Sequence, residues 1–307
     1  MKLIRTKRIP IDALNSVVAV GNFDGVHLGH RSVIEVARNF SRKNKLPLSI
    51  LTFEPHPKCF FNKRKCNFRI TPFRLKFELI KNQKVDYYFN FKFDIGFSKI
   101  TANEFINDIL IDRLKVSHVV TGFDFVFGHR QEGSTDLLEE ISRKDKSFKC
   151  TIVEEFKKKE LNDFSSSEVR RLLLKGNLEQ VKKILGRDWS IKARVIKGRK
   201  LGRKIGYPTA NVNISKFCDI CFGVYEVLVN FRSNISKSSF KGIANYGIKP
   251  TFKNSFPILE VYIFDFNQNI YGESIEVVFK SFIRKEKKFS NVDELKKQIN
   301  EDIKYCK

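Results

Sequence analysis

Apolar residues recur in two rhythms along the chain. Up to residue 186, short runs rich in β-branched and aromatic side chains alternate with longer segments whose apolar positions repeat at helical spacing. The runs 17–20, 48–53, 86–93, 116–121 and 150–153 predict strands. Helix starts are signalled between them: Thr71-Pro72 puts a capping hydroxyl before a proline at the first helical position, and Thr101-Ala102-Asn103-Glu104 is a capping box ahead of FINDILIDRL. This alternation predicts a parallel, doubly wound α/β sheet. From about residue 190 the rhythm changes. Predicted strands at 190–197, 222–231, 240–245, 258–266 and 275–283 are separated by segments containing Gly, Asn, Ser or Pro, the pattern of an antiparallel barrel. A closing helix begins at the cap-like Asn291-Val292-Asp293-Glu294. Two domains are expected, 1–186 and 187–307, with a hinge at Gly186-Arg187-Asp188-Trp189.

Composition narrows the classes without choosing among them. A chain of 307 residues holds two domains with a core each, at roughly 100–200 residues per domain. No stretch approaches the roughly 18 uninterrupted apolar residues of a membrane span. The basic N-terminal segment lacks the apolar region of a secretory signal, so a cytoplasmic protein with no membrane partner is expected. The net charge of +24 favours polyanions. The basic residues, however, run through the whole chain, and most of the 30 phenylalanines fall at core-like positions rather than between arginines on one face. No specific nucleic-acid partner is therefore expected, and ATP, itself a polyanion, suits the charge equally. The six cysteines read as reduced thiols. Cys218-Asp219-Ile220-Cys221 has no second pair to complete a zinc site.

The first candidate chemistry is Gly21-Asn22-Phe23-Asp24-Gly25-Val26-His27-Leu28-Gly29-His30, which follows the first long strand. Ligands of a doubly wound sheet bind where a strand ends in a glycine-containing loop and a helix begins. Gly21 and Gly25 let the backbone approach a phosphate, and ring N–H groups of His27 and His30 can donate to charge on a phosphoryl oxygen. A helix start with incidental histidines is the competing reading. Three further segments accompany the loop: Thr52-Phe53-Glu54-Pro55-His56-Pro57, Gly122-Phe123-Asp124-Phe125-Val126-Phe127-Gly128, and Ser165-Ser166-Ser167-Glu168-Val169-Arg170. In the last, Ser165 and Glu168 form a capping box, which leaves Arg170 unexplained.

These segments resemble the prokaryotic bifunctional riboflavin kinase/FAD synthetase (FMN adenylyltransferase) family: GxFDGVHxGH at 21–30, TFxPHP at 52–57, GxDFxFG at 122–128 and an SSTxxR-type helix start at 165–170. The resemblance implies a Rossmann-like nucleotidylyltransferase fold in which FMN attacks the α-phosphorus of MgATP, giving FAD and pyrophosphate. It places Gly21, Phe23, Asp24, Gly25, His27 and His30 on the ATP phosphates, Asp124, Ser167 and Arg170 near the nucleotide, and His56 and Pro57 at the flavin. Ser167 replaces the usual threonine, Arg74-Leu75-Lys76 replaces a typical Glu-Glu-Lys, and Asp188-Trp189 replaces a usual Pro-Tyr.

In the second half, residues 198–211 combine glycines, basic side chains and Pro208-Thr209-Ala210-Asn211. A threonine hydroxyl and an asparagine carbonyl are hard oxygen ligands suited to Mg²⁺; an exposed basic turn is the competing reading. Alternation along 258–264 puts Glu260 on the face of Ile258, Tyr262 and Phe264, away from Leu259, Val261 and Ile263. A carboxylate there is either paired or at a cavity mouth. The second half resembles the family's riboflavin kinase barrel through GRxxGxPTAN at 202–211, FGVY at 222–225, GxxNxGxxPT at 242–251 and LEV at 259–261. That likeness implies Thr209 and Asn211 as holders of MgATP, Gly202, Arg203, Gly206 and Pro208 around its phosphates, Asn245 at the flavin, and Glu260 as the base for the ribityl hydroxyl of riboflavin. A chain with one activity only, or one that adenylylates another phosphate acceptor, is the alternative expectation.

Overall fold

The computed structural model describes every residue except 7, 63–66, 156–163, 199–200, 232–237, 249–256 and 307. The basic run 157–159, Cys66, Arg199-Lys200 and Pro250-Thr251 lie outside the described residues. The chain forms two compact units, one of Met1–Cys66 and Phe73–Ser165, the other of Asn67–Pro72 and Ser166–Lys307.

The first unit is built on a six-stranded parallel sheet: β1 (Lys2–Ile4), β2 (Val17–Val20), β3 (Leu48–Glu54), β4 (Tyr87–Lys92), β5 (His118–Gly122) and β6 (Lys149–Val153), in the order β1-β4-β3-β2-β5-β6. β2 is an unbroken apolar run, and β3 is buried from Leu48 to Phe53 although Ser49 and Thr52 interrupt its apolar residues, as a parallel sheet covered on both faces requires. Alternate residues of β2 feed two separate cores: Val17 and Ala19 pack with Ile34, Ala37 and Tyr88, while Val18 and Val20 pack with Leu51, Phe89 and Phe105. The helices are α1 (Leu28–Asn44), α2 (Pro57–Phe61), α3 (Phe73–Lys81), α4 (Ala102–Glu104), which runs on as a π-helix over Phe105–Arg113, and α5 (Thr135–Asp145). Strand order reverses beside β2, so the loops leaving β2 and β5 flank the crevice where such sheets bind ligands.

Several expectations meet the structure here. The capping box at Thr101 and Glu104 forms with both of its hydrogen bonds. α3, by contrast, begins at Phe73, so Pro72 precedes the helix instead of opening it. β1 was not read from the sequence, because three residues are too few to show a period. Cys59 is disulfide-bonded, which corrects the reading of six reduced thiols; Cys150, Cys218, Cys221 and Cys306 are free. Spacing along a chain does not reveal which thiols meet.

The second unit is a closed antiparallel barrel of β7 (Ser190–Ile196), β8 (Thr209–Val212), β9 (Gly223–Phe231), β10 (Phe240–Gly247), β11 (Ile258–Ile263) and β12 (Ser274–Arg284), in the order β10-β11-β8-β7-β12-β9. Closure leaves no strand edge exposed. α6 (Ser166–Leu174) and α7 (Leu178–Leu185) precede the barrel, α8 (Leu201–Lys204) links β7 to β8, and α9 (Val292–Cys306) closes the chain. Asn291 caps α9 by accepting from the Glu294 N–H at 2.9 Å. The guanidinium of Arg284 on β12 holds the buried Asp302 of α9 through bonds of 2.8 and 2.7 Å. The segment 186–189, expected as a hinge, lies inside this unit: Trp189 is 1% exposed against Phe217 and Phe279, and its Nε1 donates to the Ile70 carbonyl at 3.3 Å. That bond, with Cys218 N–H to Arg69 O at 2.7 Å and Arg170 Nε to Phe68 O at 2.8 Å, explains why residues 67–72 cluster with the barrel.

Candidate functional sites

At the end of β2 the backbone makes a left-handed turn, with φ of 49° at Phe23, 90° at Gly25 and 44° at Val26. A β-branched residue at positive φ costs on the order of 1–3 kcal/mol. Burial offsets that cost, since Phe23 and Val26 are core residues packed with Ala19, Val33 and Ile34. Asp24, between them, is also buried. The turn delivers His27 to the N-cap of α1, where its Nδ1 accepts from the His30 N–H at 3.3 Å. With Nδ1 accepting, the neutral ring carries its proton on Nε2. The His27 and His30 rings stack at 3.6 Å, and Phe23 meets His30 edge-on at 5.3 Å. Gly29 permits this stack, because a Cβ there would stand 3.2 Å from both the His27 ring and the Phe164 carbonyl. The first turn of α1 contains no acidic residue, so the positive end of the helix is left for an anion.

The other expected residues of this site fall in three places. His56, 6% exposed, caps α2 by accepting from the Lys58 N–H at 3.2 Å, and Pro57 occupies the first helical position. Asp124 is exposed on the loop leaving β5, beside Phe123 and Val126, which are also exposed. Ser167 and Arg170 lie on α6 in the second unit, where the Arg170 guanidinium stacks 3.6 Å over the Phe68 ring.

The barrel brings its expected residues into one row. Register sets Asn211 of β8 opposite Glu260 of β11, and Glu260 opposite Asn245 of β10. Thr209 pairs with Tyr262 on the same outward face, while Leu259, Val261 and Val212 point into the barrel core. Glu260 is therefore flanked on both sides by an amide side chain. Burial, with Tyr207 and Asp265 adding to it, holds the Tyr262 phenol above its ordinary range. Asn211 is only 6% exposed because the chain leaving β7 folds over it: a Cβ on Gly198 would come within 2.1 Å of its Nδ2. Gly202 packs in the same way, 2.3 Å from Cβ position to the Tyr207 carbonyl and 3.3 Å to Thr209 Oγ1. Arg203, Gly206 and Pro208 are exposed around that turn.

Two groups were missed by sequence reasoning. Glu286 lies against Gly247, and its Oε1 accepts from Asn245 Nδ2 at 3.4 Å, putting a second carboxylate beside the row. Lys76, fully buried on α3, touches the loop after β2; its place on the same helix face as Ile80 was the available signal.

Both halves match family models, FAD synthetase over residues 10–168 and riboflavin kinase over residues 185–307. The chain belongs to the bifunctional riboflavin kinase/FMN adenylyltransferase family. It is 39% identical to the bifunctional riboflavin kinase/FMN adenylyltransferase of Buchnera aphidicola subsp. Schizaphis graminum, over 95% of this chain and 93% of that protein. The protein of the same name from Escherichia coli K12 is 37% identical over 93% of this chain and 90% of that one. A solved structure described as a macrolide-efflux protein from Streptococcus pneumoniae matches with a TM-score of 0.86 at 30% identity, over 98% of this chain and 97% of the other. Among the described residues here, no helix is long and apolar enough to cross a membrane. Between the two family matches lie residues 169–184, most of α6 and α7, which cluster with the barrel.

Proposed function

We propose that residues 187–307 transfer the γ-phosphoryl group of MgATP to the ribityl hydroxyl of riboflavin, and that residues 1–186 join the resulting FMN to the AMP moiety of a second MgATP, releasing pyrophosphate and giving FAD. Both steps act on small molecules in the cytoplasm. The observation that carries this reading is the row Asn211–Glu260–Asn245 on a closed barrel, in the same chain as a helix N-terminus capped by His27.

In the barrel, Glu260 accepts the hydroxyl proton as the oxygen attacks phosphorus, and Asn245 orients the flavin beside it. Thr209 and Asn211 offer hard oxygens side by side with Glu260, a donor set that suits Mg²⁺. When bound, the metal neutralises charge on the transferring phosphoryl group. Gly202, Arg203, Gly206 and Pro208 shape the turn over the ATP phosphates, Gly202 by lying close on β8. In the sheet unit, the left-handed turn 21–26 and the start of α1 cradle the phosphates, while His27 and His30 donate to oxygens that gain charge as pyrophosphate leaves. Asp124 contacts the nucleotide, and His56 and Pro57 the flavin; Ser167 and Arg170, which the family resemblance assigns to the nucleotide, belong to α6 of the second unit.

One assay tests the scheme. Purified protein is incubated with riboflavin and either MgATP or MgCTP, and flavins are followed by chromatography. FMN then FAD are expected with ATP alone; a folded protein that forms neither overturns the reading. Glu260→Gln is expected to slow FMN formation roughly 10²–10⁴-fold, the range for a lost general base, while conversion of supplied FMN to FAD continues.

A further inference from the structure

Lys76 is 0% exposed, an unusual state for an ammonium group, whose transfer out of water costs several kcal/mol unless it is compensated. Among the described residues, its Nζ reaches a carbonyl, a hydroxyl and a carboxylate. Its Nζ donates to the Asn22 carbonyl at 3.1 Å and to Thr52 Oγ1 at 3.1 Å, and it pairs with Glu54 Oε1 at 3.2 Å. Thr52 Oγ1 also donates to the Asn22 carbonyl at 3.4 Å. One backbone oxygen thus receives a charged donor and a neutral one. That oxygen belongs to the peptide between Asn22 and Phe23, the link at which the chain leaves β2 and enters the left-handed turn.

A peptide is planar, with its C=O and N–H antiparallel. Holding the Asn22 oxygen on the Lys76 side therefore turns the Phe23 N–H the opposite way and sets the direction in which the turn begins. A surface ion pair would not do this; Lys76 is committed by burial, and the cation-to-carbonyl bond strengthens in a medium of low dielectric. Its helix supports the placement, since Leu75 and Ile80 share the buried face of α3.

We infer that Lys76 is a positioning residue for adenylyl transfer, a buried cation that fixes the Asn22–Phe23 peptide and through it the phosphate-binding turn ahead of His27. The inference rests on the adenylyltransferase reading of the first unit, and its test separates the two. Lys76→Met alone would leave Glu54 opposite an apolar chain, so the informative variant is Lys76→Met with Glu54→Gln. KM and kcat for ATP are measured in FAD formation from FMN, and hydrogen exchange is followed at residues 21–27. FMN formation from riboflavin, which uses none of these residues, serves as the internal control. In the double variant KM for ATP rises about ten-fold, a change that loss of folded protein cannot produce. kcat/KM for ATP falls roughly a hundred-fold, the scale of a displacement near 1 Å at a reacting centre. Exchange at the turn speeds up at least about ten-fold, and FMN formation stays within about two-fold of the parent. Unchanged exchange at 21–27 overturns the inference whatever the activity. Unchanged kcat/KM with faster exchange also overturns it, by showing that the turn need not be fixed. A parent protein that forms no FAD removes the adenylyltransferase reading, and with it the role assigned to Lys76.

Discussion

On the proposed reading, His27 carries two functions on one side chain. Its Nδ1 serves as the cap of α1 and leaves Nε2 as the donor, so removal of the residue mixes a stability effect with a chemical one. The two can be separated by substitution. His27→Ala is expected to destabilise the first unit by about 1 kcal/mol through loss of the cap, whereas His27→Asn keeps a good capping residue and is expected to remain within about 0.5 kcal/mol of the parent. Both variants should lose FAD formation by about 10²-fold, since both lack the ring donor. Urea titration measures the first effect and chromatography of flavins the second; an Asn variant with full FAD output would confine His27 to capping. The sequence showed that His27 precedes a helix. It did not show that the His27 ring stacks on His30, a contact that depends on the room left by Gly29.

At the level of elements, the turn carrying α8 is pressed onto the start of β8. Gly202 and Gly206 make different contributions to it. A methyl at Gly202 would meet the Tyr207 carbonyl at 2.3 Å, which forces backbone to move, while Gly206 has φ of 95° and open space around it. Gly202→Ala is therefore expected to lift the turn and lower kcat/KM for ATP in FMN formation by at least about ten-fold, with FAD formation from FMN unchanged. Gly206→Ala should cost only about 1–2 kcal/mol of conformational strain and act more mildly on rate. Steady-state kinetics of the two variants would show whether close approach or turn conformation matters more. β8 itself was read as part of a loop. Four residues, two of them polar, carry too weak a period to register as a strand, and only pairing with β7 and β11 makes them one.

At the scale of the whole molecule, pH is expected to act on the first unit through a group that takes no part in the proposed chemistry. His118 of β5 is 4% exposed, shares a hydrogen bond of 2.8 Å with Thr151, and is held down to about 4 by burial first and Lys149 second. The folded unit thus keeps this ring neutral while an unfolded chain protonates it near 6.5. Its contribution is complete above pH 6.5 and is lost as pH falls toward 4, at up to about 1.4 kcal/mol per pH unit. Urea titrations at pH 7.5 and 5.0 should show about 2 kcal/mol of lost stability from this source, absent in His118→Asn. Equal pH dependence in both proteins would remove His118 as the cause. The sequence by itself determined the two architectures, because burial on both faces demands unbroken apolar runs and a one-sided barrel demands alternation. It also set Glu260 on the strand face away from Leu259, Val261 and Ile263, and burial in the folded barrel showed that those three face the core. Only the tertiary structure decided that Asn211 and Asn245 flank that carboxylate, since register is a property of pairs of strands. The same holds for Lys76, which is one lysine on an amphipathic helix until packing removes it from water and turns it toward Asn22.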